Sequence, residues 1–179
     1  MTDSFARARR HTAKGASYGA EGVQDELEAL LDGADLKAED RVLFKPGEYN
    51  GYCEKAKLMP FYRFGGVVKL VLHFQVYALD AVQTPENCLG RLEMIMPTPY
   101  RIDRETKRVR REEVSRRSRV FQAYRVAVRD DLGLRPGRIA FRKFEGKLYR
   151  VVVGTVTPRE NRPGEAPYSV VRDLLERLA

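Results

Sequence analysis

The sequence predicts a mainly β fold with helices, of the α+β class. Three observations predict it. The first is the stretch from Phe64 to Tyr77, FGGVVKLVLHFQVY, in which Val68, Leu70, Leu72, Phe74 and Val76 share one face at period two. Lys69, His73 and Gln75 fall on the other face with Val71 among them, and the residue types suit a pleated, half-buried strand. The second is a similar run on each side, which makes an antiparallel three-strand meander the simplest arrangement. The third is a change to helical period after residue 111, followed by a return to strand-like alternation.

Taken in order, residues 1–22 are small, polar and basic without hydrophobic period, and read as a flexible basic arm. Residues 23–42 read as a short helix and a linker, with Val23, Leu27, Leu30 and Leu31 on one stripe and Gly33 closing it. A single domain is expected over 43–179. Its first strand, 43–58, is broken near its start by Pro46-Gly47, and Gly51 is a candidate bulge. Neither face of that strand is cleanly apolar, so its register stays open. A turn at 59–66 carries Phe61, Tyr62, Arg63 and Phe64 before Gly65-Gly66. Strand two follows, then a hairpin tip at 78–87, then a third strand over 88–96 ended by Pro97 and Pro99.

A helix is expected over 112–132, with Val114, Phe121, Tyr124, Val128 and Leu132 on one face and Gly133 at its end. Beyond the turn at Pro136-Gly137, residues 138–144 alternate as a strand and Glu145-Gly146 reads as a tight turn. A long strand is expected over 147–156, a Pro/Gly-rich loop over 157–167, a short strand over 168–171 and a terminal helix over 172–178.

The chain has 179 residues, of which 43% are hydrophobic, enough for one domain with a core. Its formal net charge of +8 favours an acidic partner. The N-terminus is polar and Arg-rich without an apolar h-region, so a reducing, cytoplasmic compartment and free thiols at Cys53 and Cys88 are expected. No run of 18 apolar residues occurs, so no membrane span is expected.

The chemistry-bearing residues do not assemble into a catalytic motif. His11 and His73 stand apart from each other and from the two cysteines, without zinc spacing. P-loop, HExxH, GxSxG and dinucleotide fingerprints do not occur, and the glutamates of the β region are scattered singly. The expectation is a non-enzymatic protein with no cofactor and no metal, in which His73 is a surface or groove histidine.

Binding features are plainer. Arg101, Arg104, Lys107, Arg108, Arg110, Arg111, Arg116, Arg117, Arg119 and Arg125 crowd one segment, opposed only by Asp103, Glu105, Glu112 and Glu113. The bland reading is a solvated face with i,i+4 pairs; the surplus of arginine reads instead as an electrostatic footprint for phosphate. Aromatic residues interleave with basic ones, as at Phe61-Tyr62-Arg63-Phe64 and Phe141-Arg142-Lys143-Phe144. Such faces bind single strands, because bases stack on rings while Arg and Lys hold the backbone. Most of these rings are needed for the core of a chain without Trp. Tyr62 and Phe64 are the exceptions, since a hairpin tip offers little cover.

Three strands, a helix and closing strands is the order of the OB-fold, so the expected architecture is an OB-like antiparallel β-barrel with a basic helix inserted between strands 3 and 4. PGEYNGYCEKAKL, KLVLHFQVY and CLGRLEM resemble the N-terminal half of phage-encoded single-stranded-DNA-binding proteins of the OB type. The segment from Leu134 to Val171 resembles short proteins of prophages and integrative elements. The resemblance implies an accessory protein of a phage or other mobile element that binds single-stranded DNA, with RNA left open. The expected contacts are Tyr62, Arg63 and Phe64 at the hairpin, Lys55, Lys57, Lys69 and Arg91 on the strands, and Arg108, Arg110, Arg111, Arg116, Arg117 and Arg119 in the arginine-rich segment that runs into the helix. The alternative is a protein-interaction module, an inhibitor or adaptor of a host nucleic-acid-handling complex. Oligomeric state is not legible.

Overall fold

The computed structural model describes residues 43–61, 65–112, 114–129, 139–157 and 166–179. The expected N-terminal arm, the short helix with its linker, and the hairpin residues Tyr62, Arg63 and Phe64 lie outside them.

The elements in chain order are β1 (Gly47–Phe61), β2 (Val67–Tyr77), β3 (Gly90–Ile102), β4 (Val109–Arg111), the helix α1 (Arg119–Ala127), β5 (Lys147–Val156) and β6 (Tyr168–Arg177). The strands form one antiparallel sheet in the order β4-β3-β2-β1-β5-β6. This is the expected mainly β, α+β class, with the meander at its centre and a helix before the final hairpin. The sheet is not a closed barrel. β3 and β6 approach each other and α1 packs on both, but no ladder joins them among the described residues. At its C-terminal end β3 already pairs with β4, through Tyr100–Arg111, Arg101–Arg110 and Ile102–Val109, which occupies part of the edge that closure needs.

The face assignment of β2 holds: Val68, Leu70, Leu72, Phe74 and Val76 are all fully buried. β1 is harder to read because it changes phase. The bulge lies at Cys53/Lys55 and not at Gly51. Before it Gly51 and Cys53 point inward; after it Ala56 and Leu58 do. A slip of one residue transfers every later side chain to the opposite face.

β3 runs through Pro97 and Pro99 to Ile102 instead of stopping at them. The β2–β3 register shifts between Val67 and Lys69, opposite this stretch, and bulges are where a strand tolerates proline. Thr98 Oγ1 donates to Val68 O at 2.7 Å, so a hydroxyl supplies a cross-strand bond where the flanking prolines have no N–H. Gly66 sets the start of β2. Its φ is +69°, and a Cβ there would lie 1.9 Å from Ile102 O. Only glycine allows the close approach in which Ile102 N donates to Gly66 O at 2.7 Å.

Three other expectations are corrected. Within the described part of 112–132 the helix runs from Arg119 to Ala127; Glu113, residues 130–132, Gly133 and the turn at Pro136-Gly137 lie outside the described residues. Glu112 N still donates to Pro99 O beside β3, and Ser115 forms a local turn, its Oγ accepting from Arg117 N and its carbonyl from Ser118 N. Such serine bonds compete with helix. The strand expected over 138–144 is a 3₁₀ turn at Phe141–Phe144, where a spacing of three puts both phenylalanines on one side and both are buried. The terminal helix is strand: β6 continues to Arg177. Its pairing with β5 shifts register twice, so Val171 and Leu174 both face inward at a spacing that also fits a helix.

The core lies between the sheet's inner face, α1 and the 3₁₀ turn. Edge-to-face rings organise it: Phe74–Tyr149 at 6.1 Å and Tyr100–Phe141 at 6.0 Å, with Tyr124 tilted on Phe144. Both cysteines are free, Cys53 buried and Cys88 half-buried.

Candidate nucleic-acid interface

The outer face of β1, β2 and β3 collects the polar side chains that the inner face rejects. Their registers define rows across three strands: Tyr52–Gln75–Arg91, Lys55–His73–Glu93, Lys57–Val71–Ile95, Met59–Lys69–Pro97 and Phe61–Val67–Arg101. Arg110 on β4 extends the last row opposite Arg101. Lys55, Lys57, Lys69 and Arg91 therefore share one face of the sheet. Lys55 and Lys57 do so because of the β1 bulge; an unbroken strand would place them on the face of Cys53.

Each cation has a distinct setting. Arg91 is exposed and reaches Glu54 at 3.4 Å, and Glu54 also accepts from Gln75 Nε2 at 2.9 Å. Lys69 Nζ stands 4.2 Å from the centroid of the Phe61 ring, a cation–π contact beside the hairpin. Lys57 lies low among its neighbours, only 9% exposed, and Val71 beneath the same row is 2% exposed. Arg101 pairs with Glu112.

His73 sits in the middle of the face. Its Nδ1 is 3.3 Å from Glu93 Oε1, while its buried Nε2 has no hydrogen-bond partner among the described residues. Burial, followed by the charges of Lys57 and Lys55, pushes its pKa down to about 4. The imidazole is thus neutral near pH 7, and its approach to Glu93 is not an ion pair there.

The arginines of the basic segment are dispersed over several elements. Arg110 and Arg111 are on β4. Arg108 belongs to the β3–β4 turn, where its carbonyl accepts from Asp103 N at 3.0 Å. Hydrogen bonds from Thr106 and Glu105 to the Asp103 carboxylate order that turn and lower the Asp103 pKa. Arg116 and Arg117 lie in the turn before α1. Arg119 opens α1 and donates to the carbonyl of Arg172, a structural tie between helix and β6. Only Arg110 joins the sheet face through strand register.

Tyr52, Phe61 and Arg101 lie on this face through the same registers. Tyr52 is 36% exposed in the top row, and Arg101 shares the alternation of Arg91, Glu93, Ile95 and Pro97. Most other aromatics are core: Phe141, Phe144 and Tyr149 are at most 1% exposed.

Among the described residues no three His, Cys, Asp or Glu side chains cluster to hold a metal, and no helix is long and apolar enough to cross a membrane. No family model matches the chain, and no curated protein matches it significantly.

Proposed function

We propose that this protein binds single-stranded nucleic acid, as an accessory protein of a phage or integrative element, through the outer face of β1–β3. The observation that carries the reading is the shared sheet face of Lys55, Lys57, Lys69 and Arg91, with the rings of Tyr52 and Phe61 in its first and last rows. Phosphates neutralise the cations and release counterions; bases stack on rings without demanding a sequence. β1 lies between β2 and β5, and the helix precedes the last hairpin, which supports an OB-like architecture opened between β3 and β6. In that architecture the β2–β3 face and the β1–β2 hairpin contact oligonucleotides. Tyr62, Arg63 and Phe64 belong to that hairpin in sequence and remain part of the proposed site.

The test is fluorescence anisotropy with labelled single-stranded and duplex oligonucleotides at two salt concentrations. Tighter single-strand binding with a steep salt dependence supports the reading. Equal or absent binding overturns it.

A protein-interaction module is the competing reading. Leu79, Val82 and Leu89 favour it, since they are 48%, 69% and 49% exposed around the β2–β3 tip. Capture of a host protein that survives high salt supports this second reading.

A further inference from the structure

We infer that the groove between α1 and β6 is a second phosphate-binding site, which takes the backbone of a strand extending beyond the sheet face. This rests on the reading of the sheet face as a single-strand interface. The groove has a volume of about 600 Å³ and is lined by Gln122, Arg125, Val126, Arg129, Leu175, Glu176 and Arg177. Gln122, Arg125, Val126 and Arg129 recur at helical spacing and form one stripe of α1 and the residues just after it. Three guanidiniums thus face one carboxylate, that of Glu176, which lies 3.6 Å from Arg150.

The roles of the three arginines differ. Arg177 Nη1 donates to Ala127 O at 3.2 Å, and Lys147 Nζ donates to the same carbonyl at 2.7 Å. These two cations satisfy the C-terminal end of the helix. Arg125 and Arg129 are exposed, and the Arg125 bond to Gln122 is long, at 3.4 Å. They line the groove together with the apolar Val126 and Leu175. That suits a phosphodiester, whose charge the guanidiniums take while the sugar rests on the apolar side chains. In chain order the arginines run from Arg110 and Arg111 on β4, through Arg116 and Arg117 in the following turn, to Arg125 on α1 and Arg129 just past its end.

The experiment uses the full chain with R125A/R129A and R125K/R129K. The probes are labelled oligothymidylates of about 8 and about 24 nucleotides, lengths chosen because one OB-type face covers about 4–16. Thermal melts of both variants serve as the folding control. For R125A/R129A, affinity for the long probe falls several-fold and its log-affinity against log-salt slope flattens by up to about 0.7 per lost contact. Binding of the short probe stays at the parent's level, and R125K/R129K recovers most of the long-probe affinity. Unchanged binding of both lengths overturns the groove while leaving the sheet-face reading intact. Equal loss at both lengths also overturns it, because the arginines then act within the first site. A parent protein that binds neither probe overturns the sheet-face reading and this inference with it.

Discussion

The carboxylate of Glu145 accepts a hydrogen bond from the backbone N–H of Ala56 at 2.9 Å, across 89 residues of sequence. Beside it, Gly146 N donates to Cys53 O at 2.9 Å. The Glu145-Gly146 turn thereby satisfies the backbone groups on both sides of the β1 bulge. That bulge puts Lys55 and Lys57 on the outer face and Ala56 and Leu58 in the core. Glu145→Ala leaves the Ala56 N–H without its acceptor and is expected to cost about 1–3 kcal/mol. Glu145→Gln keeps an acceptor oxygen and should recover most of the loss. Urea denaturation of the two variants checks this, and equal stabilities would remove the role assigned to the carboxylate.

Phe74 is fully buried and meets Tyr149 edge to face. Phe74→Ala is expected to destabilise by about 3–5 kcal/mol. Its outward neighbour Gln75 is half-buried, and Gln75→Ala should cost less than about 1 kcal/mol. Chemical denaturation measures both, and comparable losses would contradict the strand's two-faced character.

The cations of the candidate face and the helix differ in consequence. Lys55→Ala with Lys69→Ala should weaken single-strand binding for all sequences alike and flatten the salt slope by up to about 0.7 per contact. Arg119→Ala breaks the tie to the Arg172 carbonyl, so it should lower the melting temperature and leave the salt slope unchanged. Anisotropy titrations over a salt series separate the two outcomes.

His73 makes stability depend on pH in a defined direction. Its pKa falls from 6.5 to about 4 on folding, so the unfolded chain binds the proton more readily. The stability of the neutral imidazole's environment is complete above about pH 6.5 and is lost as pH falls through about 4. The loss is on the order of 3 kcal/mol at most. Glu93, Glu54, Lys55, Lys57 and Arg91 surround the ring and set its field. His73→Gln should show a shallower decline than the parent over that window in stability measured against pH. Identical profiles would locate the acid sensitivity elsewhere.

The two thiols should react at different rates. Burial, and then the Glu145 charge, pushes the Cys53 pKa up to about 12, which removes the nucleophilic thiolate. Cys88 is half-buried next to the β3 start, its Sγ 3.5 Å from Gly90 O. A thiol reagent on native protein is expected to modify Cys88 first, with Cys53 following only on unfolding. Intact-mass measurement over time follows both.

The strand class, the position of the meander and the inner face of β2 were determined by the sequence alone. A face with five apolar residues at period two has one stable orientation, toward the core. β5 was legible over its full range for the same reason, and so was the convergence of Lys69 and Arg91 on outward-facing positions. The tertiary structure alone decided what depends on partners remote in sequence. The β1 bulge is satisfied by Glu145, far along the chain, so no local pattern marks where the strand changes phase. The prolines of β3 are tolerated through a register shift in β2 and a Thr98 hydroxyl. Val171 and Leu174 fit a helix or a bulged strand equally, and only pairing with β5 selects the strand. The helix expected from residue 112 likewise begins at Arg119, because the bond of Glu112 to Pro99 and the turn at Ser115 outweigh local helical period before it.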